Sequence, residues 1–247
     1  MRIVATRLHT TNEENLIENS IIYNWCQDVL KYCDLLIVVV DTTYLKSIQK
    51  AKENFGERIQ MFHISPWISF TQPLNLLVEK ALSLGAKELI FQSIEVTISL
   101  EDMEKLEKHL VKDTLVVGAK LMDIHCNNDD KQCIIDGWNT PWNTLAIWDI
   151  EKLGLTGFLS VSSGNIDNTP GGVEEVVTIS LLQQLKPNNM KAKVVDLNSV
   201  IWNTKWDSKE REKYHQNKMK TKNERSQVQL ERLGIKAGNI TIINDKI

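Results

Sequence analysis

An α/β fold, arranged as a three-layer α/β/α sandwich around a mostly parallel mixed central sheet, is the architecture that this 247-residue sequence predicts. Three observations carry the prediction. Arg2-Ile3-Val4-Ala5-Thr6, Leu35-Leu36-Ile37-Val38-Val39-Val40 and Leu89-Ile90-Phe91 are short and β-branched or apolar, as strands covered on both faces should be. Amphipathic helical stretches separate them, and this alternation means parallel strands joined by right-handed crossovers. Polar clusters follow the second and third runs, at Asp41 and at Ser93-Ile94-Glu95. In open α/β sheets, ligands bind beyond the carboxyl ends of the strands.

The elements follow in order. After the first strand and a loop from Arg7 to Thr10, Thr11-Asn12-Glu13-Glu14 reads as a capping box. It opens a helix with Ile17, Ile21, Ile22, Trp25, Val29 and Leu30 at helical spacing. Leu35 to Val40 is the second strand. Leu45 to Phe55 is a helix stopped by Gly56, and Ile59 to His63 is the third strand. Thr71-Gln72-Pro73 starts a helix with proline in its first turn, and Leu74, Leu77, Val78 and Ala81 form its apolar face. Gly85 closes it, and the strand that follows leads to Ser93 and Glu95. Ser99-Leu100-Glu101-Asp102 starts the next helix, with Leu100, Met103, Leu106 and Leu110 on one side.

The second half changes character. Thr114 to Gly118 and Gln132 to Ile135 are strands flanking a polar loop, Asn127 to Lys131, and Thr144 to Trp148 is another strand. Ser160 to Gly172 is polar. Val173 to Leu185 has β-branched content that suits a strand, but its length and Leu181, Leu182 and Leu185 favour a helix. Lys193 to Leu197 ends the sheet. The expected domain therefore spans residues 1–200, in two halves at 1–118 and 119–200. Residues 201–247 form a basic C-terminal tail that could serve as a lid. From Lys205 to Arg225 that tail holds eight Lys or Arg against four acids. It therefore carries +4 in a chain of net charge -3, which leaves -7 for the rest.

The totals exclude several classes. A net charge of -3 gives no overall basic footprint for nucleic acid. The longest clean apolar run, Leu35 to Val40, falls far short of the ~20 residues of a membrane helix. Residues 1–20 carry Arg2, Arg7, Glu13, Glu14 and Glu18, so no signal peptide is read there. The four cysteines, Cys26, Cys33, Cys126 and Cys133, form no Cys-x-x-Cys and are expected to be reduced thiols. A cytoplasmic location follows as an expectation.

Several residues could carry chemistry. Asp41 and Glu95 end neighbouring strands, where an acid can accept from a base or ribose or hold a divalent cation; a solvated loop acid is the plain alternative. Glu174-Glu175 stands in the first turn of a helix, where the dipole favours acids, and could alternatively supply a general base. The basic tail could be a solvated helix face or could fold over a diphosphate. Trp138 and Trp142 flank a turn and could pack there or form a platform for a sugar ring.

The order of motifs resembles that of the family-2 glycosyltransferases with the nucleotide-diphospho-sugar (GT-A) fold, over roughly residues 1–200. Thr11-Asn12-Glu13-Glu14-Asn15-Leu16 is similar to that family's opening Tyr-Asn-Glu-Glu-x-Asn-Leu, and Leu36 to Asp41 to its strand ending in a base-contacting aspartate. Asn75 followed by Ala81 matches its Asn-x-Gly-Ile-x-x-Ala spacing, with Leu77 in place of the glycine. Leu89 to Glu95 falls at its Asp-x-Asp strand. Leu145 to Ile150 through Gly157-Phe158 resembles its acceptor-side segment, and Gly172-Val173-Glu174-Glu175 falls at its Glu-Asp base motif. The metal motif departs from the pattern, reading Ser93-Ile94-Glu95, and the Gln-x-x-Arg-Trp of processive synthases is absent.

The resemblance implies inverting transfer of a sugar from a nucleotide-diphosphate donor to a glycan or other hydroxyl acceptor. Thr6, Arg7, Asp41, Asn75 and Ser93 would bind the nucleotide, and Glu95 with His215 would hold Mn²⁺ or Mg²⁺. Glu175 would be the base, with Glu174 as the alternate, and Trp138 and Trp142 would contact the sugar. The altered metal motif also fits a degenerate domain that binds a nucleotide sugar or a partner protein without turnover. A sugar nucleotidyltransferase ranks behind both, because Ala5-Thr6-Arg7-Leu8 lacks the glycines of a triphosphate cradle.

Overall fold

The computed structural model describes residues 1–10, 17–122, 132–164, 166–203 and 209–246, without the side chains of residues 209–211 and 214. The capping box at Thr11, the loop at 127–131, His125, Cys126 and Lys205 lie outside the described residues.

The first half follows the expected alternation: β1 (Ile3–Leu8), α1 (Asn19–Val29), β2 (Leu35–Val40), α2 (Leu45–Phe55), β3 (Ile59–His63), α3 (Thr71–Ser83), β4 (Glu88–Gln92), β5 (Val96–Thr97) and α4 (Leu100–Lys108). The second half runs β6 (Thr114–Ala119), β7 (Gln132–Ile134), β8 (Leu145–Asp149), α5 (Ile150–Leu153), α6 (Glu174–Leu185), β9 (Lys191–Asp196), β10 (Ile201–Trp202), α7 (Lys209–Lys220), α8 (Lys222–Leu233) and β11 (Asn239–Asn244). Nine strands form one sheet in the order β3-β2-β1-β4-β8-β6-β9-β11-β7, and β5 and β10 form a separate antiparallel ribbon. Within the large sheet, β7 and β8 run against their neighbours and the other pairings are parallel.

The period of two along each strand divides the core. Ile3 and Ala5 of β1, with Leu35, Ile37 and Val39 of β2, pack on one face with the apolar sides of α3 and α6. Val4, Leu36, Val38 and Val40 pack on the other with α1, α2 and α4. Each Val, Leu or Ile side chain so removed from water contributes about 1.5–3 kcal/mol. Helices on both faces are what allow β2 to be apolar throughout its length. Ile21 and Leu100, which the spacing assigns to apolar helix faces, are instead 49% and 46% exposed.

Two expectations are corrected. Residues 201–247 do not form a tail apart from the layered domain. They contribute α7 and α8, and β11 enters the main sheet between β9 and β7. The pairing of Ile240 with Ala192 and Ile242 with Val194 puts apolar side chains of β11 in register with β9. Cys133 is disulfide-bonded, whereas Cys26 and Cys33 are free and buried. The expectation that every thiol is reduced therefore fails at Cys133, and the cysteines no longer argue for a reducing compartment. Among the described residues, no helix is long and apolar enough to cross a membrane.

The place of β11 in the sheet is testable at Ile240, which is 1% exposed. Ile240→Ala should lower stability by about 2–4 kcal/mol in urea unfolding, as for a buried aliphatic side chain. A change within about 0.5 kcal/mol, typical of surface positions, would contradict the strand's burial.

Candidate active site

The sheet order changes direction at β1. The chain passes from β1 outward to β2 and β3, then returns to β4 on the other side. That reversal is a topological switch point, and a pocket of about 100 Å³ opens at the carboxyl ends of β1 and β4. Thr6 and Arg7 reach it from β1, and Gln92 and Ser93 from β4. Strand β8 runs antiparallel to β4, so the residues before β8 lie against the carboxyl end of β4. The main-chain N–H of Ser93 donates to the Thr144 carbonyl at 2.8 Å. This arrangement brings Trp142, Asn143 and Thr144 into the pocket wall.

The first turn of α6 supplies its acids. Gly172 has φ +111°, and Val173 adopts φ +61°, an outlier for a β-branched residue that costs of order 1–3 kcal/mol. Three contacts hold this turn. The Ser162 carbonyl accepts from Gly172 N–H, Arg225 Nη1 donates to the Gly171 carbonyl at 2.8 Å, and Gln229 Nε2 donates to the Gly172 carbonyl at 2.7 Å. A side chain at Gly172 would be strained at φ +111°, and its Cβ would meet Arg225 Nη1 at 2.5 Å. The turn places Glu174 and Glu175 at 4% and 6% exposure, with their carboxyl groups toward the pocket.

The two carboxyl groups have different surroundings. Both Nη atoms of Arg7 donate to Glu174 Oε1 at 3.3 Å, and Asn143 Nδ2 approaches the same oxygen at 3.4 Å. Burial pushes Glu174 upward, but the Arg7 charge and these bonds outweigh it and hold the group below the ordinary carboxylate value. Glu175 Oε1 accepts from Asn143 N–H at 2.7 Å. Burial, and then the charge of Glu174, raise Glu175 to about 7. Two adjacent carboxyl groups with values driven apart can divide ionised and proton-accepting roles.

Opposite them stand cations from α7 and α8. Lys218, Lys222 and Arg225 line the pocket. Lys222 Nζ lies 3.0 Å from the centroid of the Trp142 ring, and burial lowers its ammonium to about 7 against the pull of Glu175. Lys218 is exposed as a side chain, but the protein around its ammonium, and then Arg7, lower its pKa, while Glu174 and Glu95 act to raise it. Arg225 is 2% exposed and spends Nη1 on Gly171, Nη2 on the Lys218 carbonyl and Nε on the Thr221 carbonyl. Its role here is to strap the helices to the glycine turn, while Arg7, Lys218 and Lys222 carry the pocket's positive face.

The remaining sequence-predicted residues fall as follows. Thr6, Arg7, Ser93, Trp142, Glu174 and Glu175 meet in the pocket; Asp41, Asn75, Glu95, Trp138 and His215 do not line it. Asp41 caps the turn after β2. Its Oδ1 accepts from Thr43 and Tyr44 N–H, and its Oδ2 meets Thr10 N–H and His9 Nδ1. Asn75 clamps Phe158, donating to its carbonyl at 2.9 Å and accepting from its N–H at 2.8 Å. Trp138 lies 6.5 Å from Trp142, centroid to centroid.

Glu95 and His215 are the residues assigned to a divalent ion. Among the described residues, no three His, Cys, Asp or Glu side chains gather in a group that could hold a metal. His215 packs edge-on against Trp202 at 5.7 Å, and desolvation, Lys218 and Lys222 lower its pKa. Lys218, Lys222 and Arg225 lie within the basic run visible in the sequence, whereas Asn143 carries no local signal.

No family model matches the chain, and no curated protein matches it in sequence. Among solved structures, it is similar to 4-diphosphocytidyl-2C-methyl-D-erythritol synthase from Anaerococcus prevotii, with a TM-score of 0.52 and 16% identity, over 89% of this chain and 98% of the other. It also matches HddC from Yersinia pseudotuberculosis complexed with GMP-PN (TM-score 0.44, 10% identity, 62% of this chain and 78% of the other). A third match is mannose-1-phosphate geranyltransferase from Thermus thermophilus (TM-score 0.38, 9% identity, 53% and 44%). The first likeness shows the fold alone, a mostly parallel mixed sheet with flanking helices; the other two add no weight.

The strain on Glu175 has a stability signature. Its folded value of about 7 stands above the ordinary 4.5, so stability associated with the neutral carboxyl is complete below about 4.5 and is lost as pH rises to about 7. Glu175→Gln should therefore be more stable than the wild type at about pH 8, by roughly 1–3 kcal/mol, and no more stable at about pH 4. Urea unfolding at both pH values checks this, and an equal difference at the two would contradict it.

Proposed function

We propose that the protein is a transferase that moves a sugar from a nucleotide-diphosphate donor to a hydroxyl acceptor, such as a glycan, with inversion. One observation carries the reading: a buried glutamate pair faces Arg7, Lys218 and Lys222 in a single pocket at the switch point of the sheet. The acceptor oxygen attacks the anomeric carbon as its proton passes to Glu175. The bond from that carbon to the diphosphate oxygen breaks, and the electron pair leaves with the diphosphate. Arg7, Lys218 and Lys222 stabilise the charge that develops there, beside the buried glutamate pair. Glu174, held ionised by Arg7, fixes that arginine at the end of β1.

The pocket, at about 100 Å³, is smaller than the ~300 Å³ or more usual for drug-sized ligands. It has room for the reacting groups rather than a whole nucleotide sugar. Helix α7 is the element suited to move. Among its side chains that are described, only Met219 is buried; Arg225 holds its last turn at the Lys218 carbonyl and, with Gln229, ties α8 to the glycine turn, so the turns before Lys218 are the part suited to move.

The test is a donor panel. Calorimetry should find binding of at least one nucleoside diphosphate, and Glu175→Gln should keep that binding while lowering transfer or donor hydrolysis by about 10²–10⁴-fold. Full turnover by Glu175→Gln removes the base assignment. Nucleotide binding without turnover of any donor favours a non-catalytic binding domain. Pyrophosphate release from a nucleoside triphosphate and a sugar phosphate would replace the proposal with nucleotidyl transfer.

A further inference from the structure

Glu174 and Glu175 are adjacent in sequence and lie on a helix turn, which by itself does not aim two neighbouring side chains at one target. A third residue approaches both. Asn143 uses its main-chain N–H on Glu175 Oε1 at 2.7 Å and its side-chain Nδ2 on Glu174 Oε1 at 3.4 Å. Its other side-chain polar atom, Oδ1, accepts from Trp148 Nε1 at 2.9 Å. Indole N–H is only a donor, so Trp148 must face the amide oxygen, and the NH₂ must then point at Glu174. The orientation of the amide is thereby fixed by the core. Trp148 is fully buried in β8 and packs edge-on against Phe158 at 5.3 Å, and Phe158 is clamped in turn by Asn75. Asn143 itself is 7% exposed.

We propose that Asn143 is a positioning residue for the reaction, a bridge that carries the rigidity of the sheet, through Trp148, to both glutamates. Its catalytic meaning rests on the transferase reading above; its structural action does not. The Asn143 main-chain N–H occupies one oxygen of Glu175, and no side-chain donor among the described residues hydrogen-bonds that glutamate. In this arrangement the acceptor proton goes to the other oxygen, Oε2. On Glu174, the Asn143 amide joins Arg7 on one oxygen, so the ionised glutamate is held from both walls of the pocket. The charged groups facing the pair are Arg7 from β1, Lys218 from α7, and Lys222 and Arg225 from α8. Asn143 is the uncharged member of this set, and it alone contacts both carboxyl groups among the bonds described.

The experiment needs no substrate. Carboxyl titrations are followed by NMR on protein labelled with ¹³C at glutamate Cδ, with the two signals assigned by Glu174→Gln and Glu175→Gln. In Asn143→Ala, the Glu174 midpoint should rise by about half a pH unit or more, because a donor to the charged form is gone. Trp148→Phe keeps the ring in the core and removes only the indole N–H; it should move the same midpoint in the same direction, and it serves if Asn143→Ala does not fold. Unchanged midpoints in either folded variant would overturn the proposal. If a donor substrate is found, Asn143→Ala should lower kcat more than it changes KM and displace the acid limb of the pH–rate profile. Shifted midpoints in a protein that turns over no donor would sink the transferase reading and leave the bridge standing.

Discussion

The most demanding constraint in this molecule is the placing of two carboxyl groups side by side, out of water, at the start of α6. Like charges in a poorly solvated pocket repel strongly, and burial penalises each on its own. Much of the surrounding structure offsets that cost. Arg7 arrives from β1 and Asn143 from the segment before β8, while Lys218 and Lys222 arrive from the last two helices. Remove the glutamates and little reason remains for so many cations to converge at the end of β1. Remove the cations and Glu174 could not remain both buried and ionised.

The same constraint explains why the backbone is strained where it is. Val173 adopts a left-handed conformation that glycine would take more readily, directly before Glu174. The preceding glycine turn is held by Ser162 and strapped by Arg225 and Gln229. Strain of this kind persists only where the surroundings over-determine it, and it concentrates at functional sites. The C-terminal helices thus hold the turn that presents the acids while also supplying the positive face of the pocket. Their chain then continues into β11 within the sheet, which anchors that arrangement to the core.

Much of this was legible in the residues. β2, β3 and the starts of α3 and α4 fall where apolar runs, Pro73 and the Ser99 cap place them, because those signals are local. Glu174-Glu175 and the basic run could be picked out by charge and position. β11 is not legible in the sequence, although Ile240 and Ile242 alternate with polar residues, because its pairing with β9 joins segments far apart in sequence. Asp41 illustrates the converse: an acid at a strand end looks available, but its oxygens are taken by local N–H groups and His9, which only coordinates reveal. Asn143 could not be found by pattern, since its importance lies in what it touches.

The central claim is that the space between the glutamate pair and the lysines of α7 and α8 receives a diphosphate. A crystal structure of the chain grown with a nucleoside diphosphate tests it most directly. The account predicts phosphate oxygens within hydrogen-bond distance of Arg7, Lys218 and Lys222, with α7 displaced or closed over them and Glu175 facing the position of the transferred sugar. A nucleotide bound elsewhere on the molecule, with the Glu174–Glu175 pocket unchanged, would contradict it.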